Sequence, residues 1–251
     1  MKFQIVFALV MTSTLFVAGC AEPLTYSQDF KREGTRQFNR GEFVDASGSF
    51  KAAAKQDPTD YQTQYLLGLS YEKSGNEQLA AEAYRLCLKL RPQMPAGRAD
   101  IAMREKVIGR LAGLVAHGTF TEAQIDSIQT EAQETKSADD YRLLARILAL
   151  RGDGDSAVAN YRRAINTAPD DFLLTKEFAF YMLKINQTAE GTRLLKTAWQ
   201  LDPSDRQVAI KLRELGVNDS QLAVSPTRIE EQAADTSAPA SNWDAMTVPR
   251  D

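Results

Sequence analysis

Residues 61–92 read YQTQYLLGLSYEKSGNEQLAAEAYRLCLKLRP, and their reading decides the fold. Leu67, Gly68, Tyr71, Ala80, Tyr84 and Cys87 precede Pro92, with Gly75 and Asn76 between them as a turn signal. The stretch is one of a set. Pro58 and Pro92 lie 34 residues apart, and so do Pro169 and Pro203. Aligned on these prolines, Gly34, Ala46, Phe50 and Ala53 recur before Pro58. Tyr141, Leu144, Ala145, Leu148, Ala157, Tyr161 and Ala164 recur before Pro169, and Phe178, Ala179, Met182, Gly191, Leu195 and Ala198 before Pro203. A helix does not easily run through such a proline, so each one ends a unit.

The physical content of the pattern is a pair of helices. Small residues fall where two antiparallel helices approach closely, and the aromatic fills the gap between one pair and the next. Gly41, Gly152-Asp153-Gly154 and Asn186-Gln187 supply the turns inside the other units. Each hairpin leaves an apolar face that only a stacked neighbour can cover. Residues 61–92 resemble the tetratricopeptide repeat almost residue for residue. The resemblance implies an all-α helix-turn-helix solenoid, with two units over 27–94 and two more over 138–205.

The middle departs from this pattern, because Pro92 to Pro169 spans 77 residues, nine more than two repeats. From Ala99, the residues Met103, Val107, Leu111 and Leu114 recur at helical spacing and predict a long amphipathic helix to His117, ended by Gly118. Thr121-Glu122-Ala123-Gln124 reads as a capping box, flanked by Phe120 and Ile125 as a hydrophobic staple. A second helix with Ile125, Ile128 and Ala132 on one face completes a non-consensus pair over 95–137. It is either a degenerate repeat or an insert that splits the solenoid. Over 206–219, short helical turns through Val208, Ile210, Leu212 and Leu215 cap the last unit. The Ser-, Pro- and Ala-rich remainder, 220–251, is expected to be disordered, with Trp243 and Met246 as the exceptions within it.

The other informative stretch is the beginning. Lys2 precedes an apolar run from Ile5 to Val17, closing on Val17-Ala18-Gly19-Cys20. The layout is that of a secretory signal peptide, 1–19. The run is too short for a membrane span and is interrupted by Thr12, Ser13 and Thr14. The four closing residues resemble the lipobox of bacterial lipoproteins. That resemblance implies cleavage before Cys20, thioether lipidation of its sulfur and acylation of its amine by fatty acids such as palmitate. A short linker, 20–26, then leads to the first helix. Ala21 stands where an aspartate would signal retention in the inner membrane, so the expected location is the outer membrane facing the periplasm. With Cys20 lipidated, Cys87 has no disulfide partner and reads as a small buried residue.

The formal charge of −3 provides no basic stripe for phosphates, so nucleic-acid binding is not expected. No phosphate loop, nucleophile elbow or cysteine and histidine cluster is present, and no cofactor, metal or small-molecule substrate is expected. His117 fits the last turn of a helix, and Asp153 and Asp155 read as a polar turn rather than a calcium loop. By resemblance, partners bind the concave surface made by the first helix of each unit. The inward residues are then Lys31, Thr35 and Phe38; Tyr65, Leu69 and Glu72; Arg142, Arg146 and Ala149; and Lys176, Phe180 and Leu183. A carboxylate clamp of the chaperone-binding type is not supported, since only Lys31 fits, with Thr35, Leu66, Asp139 and Leu143 in the other places. The expected function is a non-enzymatic, membrane-anchored scaffold for envelope proteins. It resembles lipoproteins that assist pilus and secretion assembly, including pilotins of secretin pores and the tight-adherence (Flp) pilus component. An adaptor docking a periplasmic protease or cell-wall hydrolase is the alternative.

Overall fold

The computed structural model describes residues 26–90 and 98–218. The expected signal peptide, 1–19, Cys20, Pro92 and the expected tail with Trp243 and Met246 lie outside the described residues. Eleven helices and no strand occur among the described residues: α1 (Tyr26–Asn39), α2 (Phe43–Gln56), α3 (Tyr61–Lys73), α4 (Glu77–Lys89), α5 (Arg98–His117), α6 (Glu122–Thr135), α7 (Ala138–Arg151), α8 (Gly154–Thr167), α9 (Phe172–Lys184), α10 (Thr188–Leu201) and α11 (Arg206–Glu214). They form an all-α solenoid of tetratricopeptide type.

Four hairpins, α1/α2, α3/α4, α7/α8 and α9/α10, are closed by one device. One or two residues past the first helix the backbone turns left-handed, with φ of 80° at Gly41, 80° at Gly75, 87° at Gly152 and 63° at Asn186. The next amide reaches back to the last turn: Glu42 N to Gln37 O at 3.0 Å, Asn76 N to Tyr71 O at 2.8 Å, Asp153 N to Leu148 O at 2.9 Å and Gln187 N to Met182 O at 2.8 Å. This Schellman-type ending satisfies carbonyls a helix would otherwise leave orphaned, and glycine enters it without steric cost.

Between units, the Asp-Pro-polar-Asp turns use both aspartates. Asp57 Oδ1 accepts from Thr59 N at 3.1 Å, and Asp202 Oδ1 from Ser204 N at 2.9 Å, holding the turn. The second aspartate caps the next helix: Asp60 accepts from the amides of Gln62 and Thr63, and Asp205 from Val208 N. Asp171 does the same for α9 through Leu174 N.

In α1/α2 and α3/α4 the recurring small and aromatic residues meet inside the hairpin, so the ring fills the space within a pair rather than the expected gap between one pair and the next. Ala46, Phe50, Ala53, Ala80, Tyr84, Cys87, Ala157 and Ala164 are fully buried. At two glycines the ring rests directly on the backbone: a Cβ built on Gly34 would lie 2.8 Å from the Phe50 ring, and one on Gly68 2.6 Å from the Tyr84 ring. Burial pushes the Cys87 thiol up to about 12, which leaves it protonated and unreactive at neutral pH.

The central pair keeps half of the repeat geometry. α5 runs parallel to α3, with the Tyr61 hydroxyl donating to Asp100 at 2.5 Å near their starts and Arg110 to Glu72 at 2.8 Å near the end of α3. It takes the place of a first helix and packs on α4 and α7 rather than on α6. α6 begins with the capping box of Thr121 and Gln124, buries Ile125, Ile128 and Ala132, and lies against α7. Glu131 ties it to Arg85 and Lys89 of α4. The solenoid thus continues through this pair without a packed hairpin. One apolar core runs from Ala46 to Ile147, a second from Ala145 to Val217, and α7 contributes to both. At the end, α11 is a single nine-residue helix. Val208 and Leu212 cover the second core, whereas Ile210, expected on the same face, is 54 % exposed.

Two glycines on first helices should respond oppositely to alanine. Gly68→Ala drives a methyl into a Tyr84 ring that cannot swing away, and should cost about 1–3 kcal/mol in urea denaturation. Gly113→Ala on α5 meets open space, and should gain about 0.5–1 kcal/mol from helix propensity.

Candidate partner-binding face

The first helices α1, α3, α7 and α9 carry the expected residues and place them in different settings. Phe38 is half-buried at the first turn, edge-on to Phe43 with ring centroids 5.2 Å apart. Tyr65 is half-buried, its ring 6.1 Å from that of Tyr84, and Phe180 is a half-buried flank of the second core. These three present aromatic surface. Thr35 turns its hydroxyl back to the Lys31 carbonyl at 2.8 Å. Ala149 is half-buried, and Leu183 packs against Gly191 of the adjoining helix.

Two residues expected on the groove lie inside it. Leu69 is 1 % exposed and belongs to the first core, alongside residues of α5. Arg142 is also 1 % exposed and sits between two carboxylates. In this arrangement neither offers surface to a partner.

The charged residues are tied to one another. Lys31 Nζ donates to Asp60 at 2.7 Å, and Lys176 Nζ to Asp205 at 2.7 Å, each pair 29 residues apart. Glu72 accepts from Arg110 at 2.8 Å and from the Tyr84 hydroxyl at 2.6 Å. Arg142 holds Glu105 through two nitrogens, at 2.5 and 2.6 Å, and Glu177 through Nε at 2.6 Å. Arg146 pairs with the same Glu177, which also accepts from the Tyr161 hydroxyl at 2.7 Å. Arg104 reaches Asp171 at 2.9 Å, with Asp139 3.7 Å away.

Burial alone would raise the Glu177 pKa, but the Arg146 and Arg142 guanidinium groups and the Tyr161 hydroxyl outweigh it and hold the carboxyl below its usual range. Asp60 and Asp205 show the same balance, with burial opposed by Lys31 and Thr63 in one case and by Lys176 and Val208 in the other. Burial would lower the Arg142 pKa, but Glu177 and Glu105 overcome it, so the guanidinium stays charged. Asp153, in the polar turn between α7 and α8, caps α8 by accepting from Ser156 N.

Sequence reasoning missed Arg104, Glu105, Arg110 and Glu177. The first three stand on α5, whose packing on α7 no periodicity reveals. A usable signal existed for the lysines, since Lys31 and Lys176 precede the capping aspartates Asp60 and Asp205 by the same distance.

A tetratricopeptide repeat family model matches residues 31–95. No curated protein matches the sequence. Among solved structures, MamA is similar at 21 % identity, covering 68 % of this chain and 94 % of that one, with a TM-score of 0.40. TTC0263, a tetratricopeptide protein of Thermus thermophilus, gives 18 %, 75 %, 97 % and 0.44. PilF of Pseudomonas aeruginosa gives 13 %, 84 %, 93 % and 0.45. Repeats of this type mediate protein–protein interaction, which their extended concave surfaces suit.

Glu177→Gln should cost about 3 kcal/mol or more in urea denaturation, because it removes a partner from two largely buried guanidinium groups at once. Acid should act in the same direction. Asp60, Asp205 and Glu177 titrate lower in the folded chain than in the unfolded one, so the unfolded chain binds more protons in acid and stability rises with pH there. Their contribution should be complete above about pH 5 and fade as the pH falls through the lowered pKa values. The urea midpoint measured across that range checks it.

Proposed function

We propose that this chain is a non-enzymatic scaffold, lipid-anchored in the bacterial envelope, which holds a protein partner during assembly of a pilus or secretin-type secretion complex. The reading rests on one juxtaposition: the Val17-Ala18-Gly19-Cys20 lipobox stands just ahead of a tandem interaction solenoid that begins at Tyr26. Lipid on Cys20 would leave the few residues from Ala21 to Thr25 between membrane and first helix, so the solenoid works close to the outer-membrane surface on its periplasmic side. That placement suits a protein that handles other membrane components. The partner meets the half-exposed aromatic residues Phe38, Tyr65 and Phe180, with Arg146, Lys31 and Lys176 flanking them.

Fractionation and crosslinking test this. Cys20→Ala should move the protein out of the membrane fraction, and retention equal to wild type would remove the anchor. A photo-crosslinker at Tyr65 should capture a pilus or secretin component from envelope extracts, while one at Arg162 on the opposite face should not. Capture of a protease or cell-wall hydrolase at Tyr65 would instead select the adaptor reading.

A further inference from the structure

The charged pairs of the concave face have a common direction. Lys31 of α1 reaches Asp60 at the start of α3, and Glu72 of α3 reaches Arg110 of α5. Glu105 of α5 is held by Arg142 of α7, at 2.5 Å, with Arg146 3.6 Å away; both arginines also hold Glu177 of α9. Lys176 of α9 reaches Asp205 at the start of α11. Every link runs from one first helix to the next, or to its capping residue. Arg104 adds a longer one, from α5 past α7 to Asp171 at the start of α9. On the other side of the stack the second helices are linked, among the described residues, only by pairs with more exposed cations, Arg85 and Lys89 to Glu131 and Arg162 to Glu190, and the two apolar cores lie between the sides.

We propose that these pairs form a strap that sets the curvature of the solenoid. Curvature in a stack of hairpins is the difference in spacing between its two sides. Apolar packing is non-directional and tolerates small adjustments, whereas bidentate guanidinium–carboxylate pairs fix distance and angle. Ion pairs buried this deeply contribute little net stability, because desolvation offsets their attraction, but they discriminate strongly among geometries. The strap therefore selects one radius for the groove. Releasing it widens the groove and leaves both cores intact. Arg104 and Glu105 are the place to cut, since these two neighbours carry the pairs from α5 to α7 and α9. Removing them leaves Arg142 and Arg146 with Glu177 as partner.

Independently of the envelope reading, the strap is tested on the full chain. In a Cys20→Ser background, spin labels at Lys51→Cys on α2 and Lys196→Cys on α10 report the distance between the ends of the solenoid; Cys87 is buried and does not label. Arg104→Gln with Glu105→Gln should shift the distance distribution to longer values while helical content and a cooperative thermal transition are retained. Glu131→Gln, which breaks the α4–α6 pairs outside the strap, should leave the distribution unchanged. An unshifted distribution in the double variant, or an equal shift in Glu131→Gln, overturns the proposal. If the double variant does not fold, Glu105→Gln alone is measured, and an unshifted distance there overturns it equally.

Discussion

The rest of the structure depends on an aromatic ring resting on a bare helix backbone. Tyr84 against Gly68 and Phe50 against Gly34 bring the two helices of a hairpin so close that no Cβ fits between ring and backbone. That proximity lets the small residues of the second helix, Ala46 and Ala80, reach full burial. It also puts the Tyr84 hydroxyl within reach of Glu72, so one side chain serves the apolar interior and the polar face together. In the third unit Ala145 takes the glycine's place in the register, and the Tyr161 ring stacks on Phe178 at 5.1 Å between centroids. The hydroxyl then finds Glu177, on the following first helix. The same residue at the same register thus bonds within its unit in the first half and across units in the second.

Local chemistry was legible in the sequence and long-range chemistry was not. Gly41, Gly75, Gly152 and Asn186 announce their turns because few other residues accept a left-handed backbone. Thr121 with Gln124 announces a helix start because the two side chains satisfy each other's backbone amides. Such signals involve residues within a few positions of one another. Leu69 and Arg142 fall on the groove by resemblance to repeats whose first helices line an open concave surface. α5 alters that. It packs directly on α7, and Glu105 closes over Arg142. Nothing in the spacing of Met103, Val107 and Leu111 distinguishes a helix that leans on its own hairpin partner from one that leans on the helix after next.

The buried charges show why geometry and stability should be considered separately. Arg142, with almost no exposure, is surrounded by Glu105, Glu177 and the neighbouring Arg146, so its charge is matched and its donors are used. Arg104 is less well served: its Nε is buried without a hydrogen-bond partner, and Glu105 lies 3.5 Å away. A network with one imperfectly satisfied donor is not a device for maximal stability. It fixes which carboxylate faces which guanidinium, and hence how α5, α7 and α9 are aligned.

The lysine and aspartate links follow a rule that extends to where they are missing. Lys31, Tyr65, Arg142 and Lys176 occupy the same register, each 27 residues before its unit's proline. Two residues after those prolines stand Asp60, Met94, Asp171 and Asp205. Lysine occurs where the capping aspartate is free to receive it, at Lys31 with Asp60 and Lys176 with Asp205. Where the aspartate is replaced by Met94, the lysine is replaced by Tyr65, and a buried cation without a counter-charge is avoided. The remaining case has both charges but not the link: Asp171 is taken by Arg104, and Arg142 turns to Glu105 and Glu177. The exceptions flank α5 on both sides. A first helix that enters the stack by packing on α7 brings its own charges, and the repeat's residues on either side are those that accommodate them.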